Sequence, residues 1–280
     1  MAGKVTAFDL GNNNTEDREL IAELNRKYAG RQADRPPEKE RSIIIGLAVR
    51  VVALLLALVF FFTVTGRWLS VFTGPAYSFL RESWLLSSNP VVDQAKEAVV
   101  QVFVENKAGS ADGSLRGSGF NISEKGLIVT NRHLVEDAAL VRVSFPDRGF
   151  YIAGNWLMSE DVDLALVVIE GDNLPVLPLA EYSFVPGEEV LIIGNPLQFA
   201  RIANRGKVTG YMQAGWRETP YLVIEAMIYP GSSGSPVMNL KGEVGAIIFA
   251  TLRNRDPEEV KGLAVDVTEL AEFLINHQPD

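Results

Sequence analysis

The chain has 280 residues, of which 47% are hydrophobic and 24 are glycine, and carries a formal charge of −9. That length suits one ordinary domain with appendages, or two small domains. The absence of cysteine excludes disulfide frameworks, thiolate nucleophiles and Cys-rich zinc sites, and the acidic balance offers no basic footprint for phosphates, so nucleic acid is not an expected partner.

Residues 1–42 are polar and read as a cytoplasmic tail, with a short helical pattern over Glu16 to Tyr28 and a linker-like Arg35-Pro36-Pro37-Glu38. Ile43 to Thr65 then form an apolar run of 23 residues whose only charge is Arg50, enough to cross a hydrocarbon core of about 30 Å as one helix. Arg50 lies near the N-terminal end, within snorkelling reach of the headgroups. The long polar stretch before the run favours an uncleaved anchor over a signal peptide. Arg26, Lys27, Arg31, Arg35, Lys39 and Arg41 precede the span, whereas Arg67 and Arg81 are the nearest basic residues after it. This bias places the N-terminus in the cytoplasm and everything beyond about residue 66 outside it. Eight basic and eight acidic residues balance up to Arg41, so the net charge belongs to the remainder.

Residues 66–90 form a juxtamembrane segment in which Trp68, Phe72, Tyr77, Phe79 and Trp84 recur. Such rings suit the membrane interface, and equally a short helix packed on the domain that follows. Residues 91–276 change texture to short β-rich runs: Ala98 to Val104, Gly117 to Ile122, Leu127 to Thr130, Leu140 to Phe145, Leu164 to Ile169, Glu189 to Ile193, Leu222 to Met227 and Val244 to Thr251. Runs at this spacing predict an all-β barrel or sandwich. A single helix is expected at the end, capped by Asp266, with Leu270, Phe273 and Leu274 on one face.

The segment Tyr229-Pro230-Gly231-Ser232-Ser233-Gly234-Ser235-Pro236 concentrates the chemistry. Glycines beside a serine let backbone N–H groups and a hydroxyl converge, as acyl transfer requires, although such clusters also mark ordinary turns. A serine nucleophile needs a general base and a group that orients the base. Only His133 and His277 are available as histidines, and the latter lies near the chain end. His133 follows the strand-like Leu127-Ile128-Val129. Asp137, Asp147, Asp161, Asp163 and Asp172 are candidate orienting carboxylates; Asp163 heads a buried run, and Asp161, two positions earlier, is its local rival.

These motifs resemble the trypsin-like serine proteases, most closely the bacterial HtrA-type branch. The resemblance covers about Val92 to Ile275. It rests on Gly117-Ser118-Gly119-Phe120, on Gly126-Leu127-Ile128-Val129-Thr130-Asn131 leading to His133, and on Asp163-Leu164-Ala165-Leu166. Gly187-Glu188-Glu189-Val190, Gly194-Asn195-Pro196-Leu197 and the Pro230 to Pro236 turn complete it. The order is histidine, aspartate, serine, with spacings of 30 and 70 residues. The resemblance implies a double six-stranded antiparallel β-barrel. Ser233 would be nucleophile, His133 general base and Asp163 its orienting partner, with the N–H groups of Gly231 and Ser233 as oxyanion hole. It implies no metal and no cofactor.

In the family's primary pocket the corresponding positions are Met227, Ile228, Tyr229, Phe249, Ala250 and Thr251, none of them charged. Small or aliphatic side chains are therefore expected before the scissile bond. Ser235 and Ser232 depart from the commoner glycine and from the aspartate of the digestive enzymes, respectively. The chain ends about 45 residues beyond Ser233 without the PDZ domain usual in that branch. The expected protein is a membrane-anchored endopeptidase acting on extracytoplasmic polypeptides, with a role in envelope quality control. A peptide-binding module that keeps the fold without cutting is the alternative.

Overall fold

The computed structural model describes residues 15–33, 49–58, 60, 75–110, 112–213, 219–253 and 260–277. The chain divides into two compact units, Met1–Ser70 and Val71–Asp280. In the first, Thr15–Ala33 is an α-helix, and residues 49–58 and 60 are helical and exposed. Among the described residues no helix is long and apolar enough to cross a membrane. The rest of the expected span 43–65, and the tail before Thr15, lie outside the described residues.

The second unit holds two closed six-stranded barrels and a C-terminal helix. Barrel one is built from β1 (Val99–Asn106), β2 (Ser114–Asn121), β3 (Leu127–Thr130), β4 (Ala138–Phe145), β5 (Gly149–Met158) and β6 (Ala165–Ile169), closed in the order β1-β2-β3-β6-β5-β4. Barrel two uses β7 (Glu189–Gly194), β8 (Ile202–Met212), β9 (Tyr221–Ala226), β10 (Pro236–Met238), β11 (Val244–Arg253) and β12 (Val260–Asp266), in the order β10-β11-β12-β9-β8-β7. Eight of the twelve strands coincide with the β-rich runs of the sequence. Strands β5, β8, β10 and β12 do not: β5 is largely exposed, β8 is interrupted by Asn, Arg and Gly, and β10 spans three residues.

Strand alternation gives each barrel two apolar faces. On β6, Ala165, Val167 and Ile169 fill barrel one, while Leu164 just before it and Leu166 enter a second core that also takes Leu191 and Ile193 of β7. On β7 the complementary set, Val190 and Ile192, fills barrel two. The second core therefore joins the barrels, which explains why these strands read as continuous apolar runs rather than alternating ones.

Two helices precede β1. Pro75–Leu86 docks on β8, where Ser83 Oγ accepts from Ala203 N–H at 3.0 Å and Glu82 Oε1 from Arg205 N–H at 2.9 Å. Leu86 enters the joining core and Trp84 stays 76% exposed, so this part of the aromatic segment packs on the domain while one ring faces outward. Pro90–Ala98 begins with Asn89 as cap, its Oδ1 accepting from Val91 N–H. The final helix, Val267–Asn276, starts where the sequence places it: buried Asp266 accepts from Thr268 N–H at 2.9 Å, and also from the Thr268 and Ser183 hydroxyls. Leu270 and Phe273 are buried beneath it. Asp266→Ala removes all three contacts and is expected to cost about 1–2 kcal/mol, read as a lower urea midpoint, with Asp266→Asn retaining most of the stability.

Candidate active site

Strand β3 ends in fully buried Thr130 and Asn131. The short helix Arg132–Val135 that follows buries Leu134 and Val135, which leaves His133 on the open side of the turn. Across from it, Val162 and Leu164 are buried on either side of Asp163. That pins the aspartate just before β6. Asp163 Oδ1 accepts from the backbone N–H of His133 at 2.9 Å, and its carbonyl accepts from Asn131 Nδ2 at 2.8 Å. Asp163 Oδ2 lies 2.6 Å from His133 Nδ1. A carboxylate only accepts, so Nδ1 carries the proton and Nε2 is left with a free lone pair. The side chains are 41% and 21% exposed, so the pair faces a cleft rather than a core.

Asp161, the rival in sequence, instead lines a separate cavity with Glu160, Glu269, Glu272 and His277. His277 sits beyond the final helix, its ring edge-on to Phe273. The structure thus brings His133 together with Asp163 and leaves both competitors elsewhere.

Ser233 lies on barrel two in the turn before β10. Within this turn Ser232 N–H bonds Tyr229 O at 3.0 Å, Gly234 N–H bonds Ile248 O at 2.8 Å, and Ser235 N–H bonds Ser232 O at 3.0 Å. Among the described residues the N–H groups of Gly231 and Ser233 have no partner. Their orientation is set from the other side of each peptide plane, because a trans peptide points its N–H opposite its carbonyl. Pro230 O accepts from Leu197 N–H at 2.9 Å, which directs Gly231 N–H away from Leu197; the Ser235 bond to Ser232 O does the same for Ser233 N–H. Gly231 has φ +97°, and a Cβ there would lie 2.6 Å from Asn195 O. Only glycine fits. No hydrogen bond joins Ser233 Oγ to His133 among the described residues.

Ile228, Tyr229, Phe249, Ala250 and Thr251 line a cavity of about 220 Å³ with Pro230, Ile248 and Ser233. Met227, just beyond β9, does not line it; its carbonyl accepts from Asn204 Nδ2. No lining residue is charged, and burial pushes the Tyr229 phenol up, so it stays neutral. Ile228 is 5% exposed and packs where a Cβ on Gly262 of β12 would fall. A larger cavity of about 700 Å³ opens on the other side of Gly231, between Phe103, Leu115 and Arg116 of barrel one and Leu197 of barrel two. Sequence reasoning gave no role to Ser118, Asn195 or Leu197, which contact this turn; their only signal was membership of the Gly117 and Gly194 motifs.

Residues 117–247 match the family model of the trypsin-like peptidase domain. A probable periplasmic serine endoprotease, DegP-like, from Marinomonas sp. (strain MWYL1) is 37% identical over 134 residues, 47% of this chain and 29% of the relative. A putative serine protease, HhoB, from Synechocystis sp. is 35% identical over 136 residues, covering 46% of this chain and 32% of that protein. The chain therefore spans about a third or less of the length of these curated relatives. Among solved structures, the active form of a protease from M. tuberculosis superposes with a TM-score of 0.59 at 26% identity, covering 70% of this chain and 88% of that one. The serine endoprotease from Yersinia pestis gives 0.55 at 29% identity, covering 67% and 65%. The names of these relatives support a serine endopeptidase, and the chain has the double-barrel fold of trypsin-like peptidases.

Proposed function

We propose that the protein is a membrane-anchored serine endopeptidase that cleaves extracytoplasmic polypeptides through an acyl-enzyme. The observation that carries this reading is the His133–Asp163 pair at 2.6 Å on barrel one, beside a barrel-two serine turn that Ser118 N–H of barrel one bonds at Ser233 O and in which, among the described residues, the Gly231 and Ser233 N–H groups have no partner. Ser233 Oγ attacks the scissile carbonyl and His133 Nε2 takes its proton, later returning it to the leaving amine. Asp163 holds the imidazole and stabilises its cation. The N–H groups of Gly231 and Ser233 receive the oxyanion, an interaction for which one donor is typically worth about two to three orders of magnitude in turnover. Water then hydrolyses the ester. No step calls for a metal or cofactor.

The apolar run 43–65 supports anchoring by one helix with the N-terminus in the cytoplasm, and a relative named periplasmic supports an extracytoplasmic domain; envelope quality control is the role proposed for it. The small, uncharged cavity that Ser233 helps line favours alanine or valine before the scissile bond.

The test is casein cleavage by the full chain with fluorophosphonate labelling. The native chain is expected to be labelled and active, and Ser233→Ala to lose both, with all chain staying in the membrane fraction after alkaline carbonate. Equal activity in Ser233→Ala sinks the enzyme reading, and lack of labelling and cleavage in the folded native chain favours the non-cutting module. Release by carbonate sinks the anchor. Ile228→Ala deepens the cavity and is expected to raise kcat/KM for leucine relative to alanine peptides by about tenfold or more; an unchanged ratio places the specificity pocket elsewhere.

A further inference from the structure

We infer that Ser118 of barrel one is a positioning residue for the oxyanion hole on barrel two; the inference rests on the peptidase reading above. Ser118 is fully buried at the barrel seam. Its Oγ lies 2.8 Å from Asn195 N and 3.2 Å from Asn195 Nδ2. Both are obligate donors, so the hydroxyl accepts from them, and its single proton is free for Gly231 O at 2.8 Å. The direction of the bond is thereby fixed: Ser118 Oγ donates to the carbonyl of Gly231.

This bond completes the constraint on Gly231. The φ and ψ of a residue are set by the two peptide planes that flank it. The plane before Gly231 is held by Leu197 N–H on Pro230 O. The plane after it is held by the Ser118 hydroxyl on Gly231 O and, from its other edge, by Ser232 N–H on Tyr229 O. Glycine resists rotation less than any other residue, so at φ +97° its N–H keeps its aim only while both planes are clamped. The clamp is itself supported: Asn195 Nδ2 donates to Val100 O at 2.8 Å and Asn195 Oδ1 accepts from Arg201 N–H at 3.0 Å. Ser118 N–H also bonds Ser233 O at 2.8 Å, so one residue of barrel one grips both donors' residues.

A misaimed N–H weakens the transition state and leaves ground-state binding intact, because the ground-state carbonyl depends less on the hole than the oxyanion does. In the full chain, Ser118→Ala is expected to lower kcat on a fluorogenic casein-derived peptide about ten- to a hundredfold with KM within about twofold. Affinity for a peptide boronic acid, whose tetrahedral adduct occupies the hole, should fall by a similar factor, while affinity for the cleaved product peptide stays unchanged. Ser118→Cys, a weaker donor of similar volume, should lie between. Equal losses of boronate and product affinity, or native kcat in Ser118→Ala, overturn the inference while leaving the peptidase reading intact. A native chain that neither cleaves the peptide nor takes up the boronate overturns the peptidase reading and the inference with it. Should Ser118→Ala fail to melt cooperatively, the same measurements on Ser118→Cys decide.

Discussion

The seam between the two barrels is the constraint on which everything else depends. His133 and Asp163 belong to barrel one, Gly231 and Ser233 to barrel two, and neither barrel alone holds a complete set. The hydrogen bond from Ser118 N–H to Ser233 O crosses that seam at the proposed nucleophile. Beneath it, one apolar core takes Phe120 and Leu166 from barrel one and Leu191 and Ile247 from barrel two. A shift of either barrel would move His133 and Ser233, the proposed base and nucleophile, relative to each other, and displacements of about 1 Å are costly in catalysis.

Close approach across the seam also explains why the turn is written in small residues. A Cβ at Gly234, where φ is +83°, would overlap Ser118 O, and one at Gly231 would meet Asn195 O. Here glycine serves tertiary contact as much as local turn geometry. The same closeness lets Ser118, 113 residues away in sequence, reach the Gly231 carbonyl. Within the candidate site several polar groups of the seam pair with one another: Thr130 Oγ1 donates to Ser118 O, and Asn195 Nδ2 to Val100 O, while among the described residues the buried Ser235 Oγ and Asn131 Oδ1 have no hydrogen-bond partner. Buried networks of this kind rigidify when their members are paired.

The candidate site is legible in the sequence where its chemistry asks for a scarce side chain in a local pattern. With two histidines in the chain, a base for Ser233 could be sought at few places, and the strand ending in Thr130 placed His133 at an exposed turn. Asp161 and Asp163 were not separable by pattern, because two positions along a strand point the same way; the structure places Asp163 Oδ2 2.6 Å from His133 Nδ1 and Asp161 on the lining of another cavity. Met227, just beyond the end of β9, is not among the residues that line the cavity beside Ile228. The supports of the proposed oxyanion hole were illegible because Asn195 and Ser118 are 77 residues apart in the chain and meet only when both barrels close. The exposed strand β5 and the short β10 lacked the apolar run that identifies a buried strand.

The most direct measurement is a crystal structure of the full chain after reaction with a fluorophosphonate. The account predicts a phosphonyl group on Ser233 Oγ, with one phosphoryl oxygen about 2.7–3.1 Å from both Gly231 N and Ser233 N and His133 still bonded to Asp163. A phosphonyl oxygen turned to solvent, with the Gly231 N–H directed elsewhere, would contradict it.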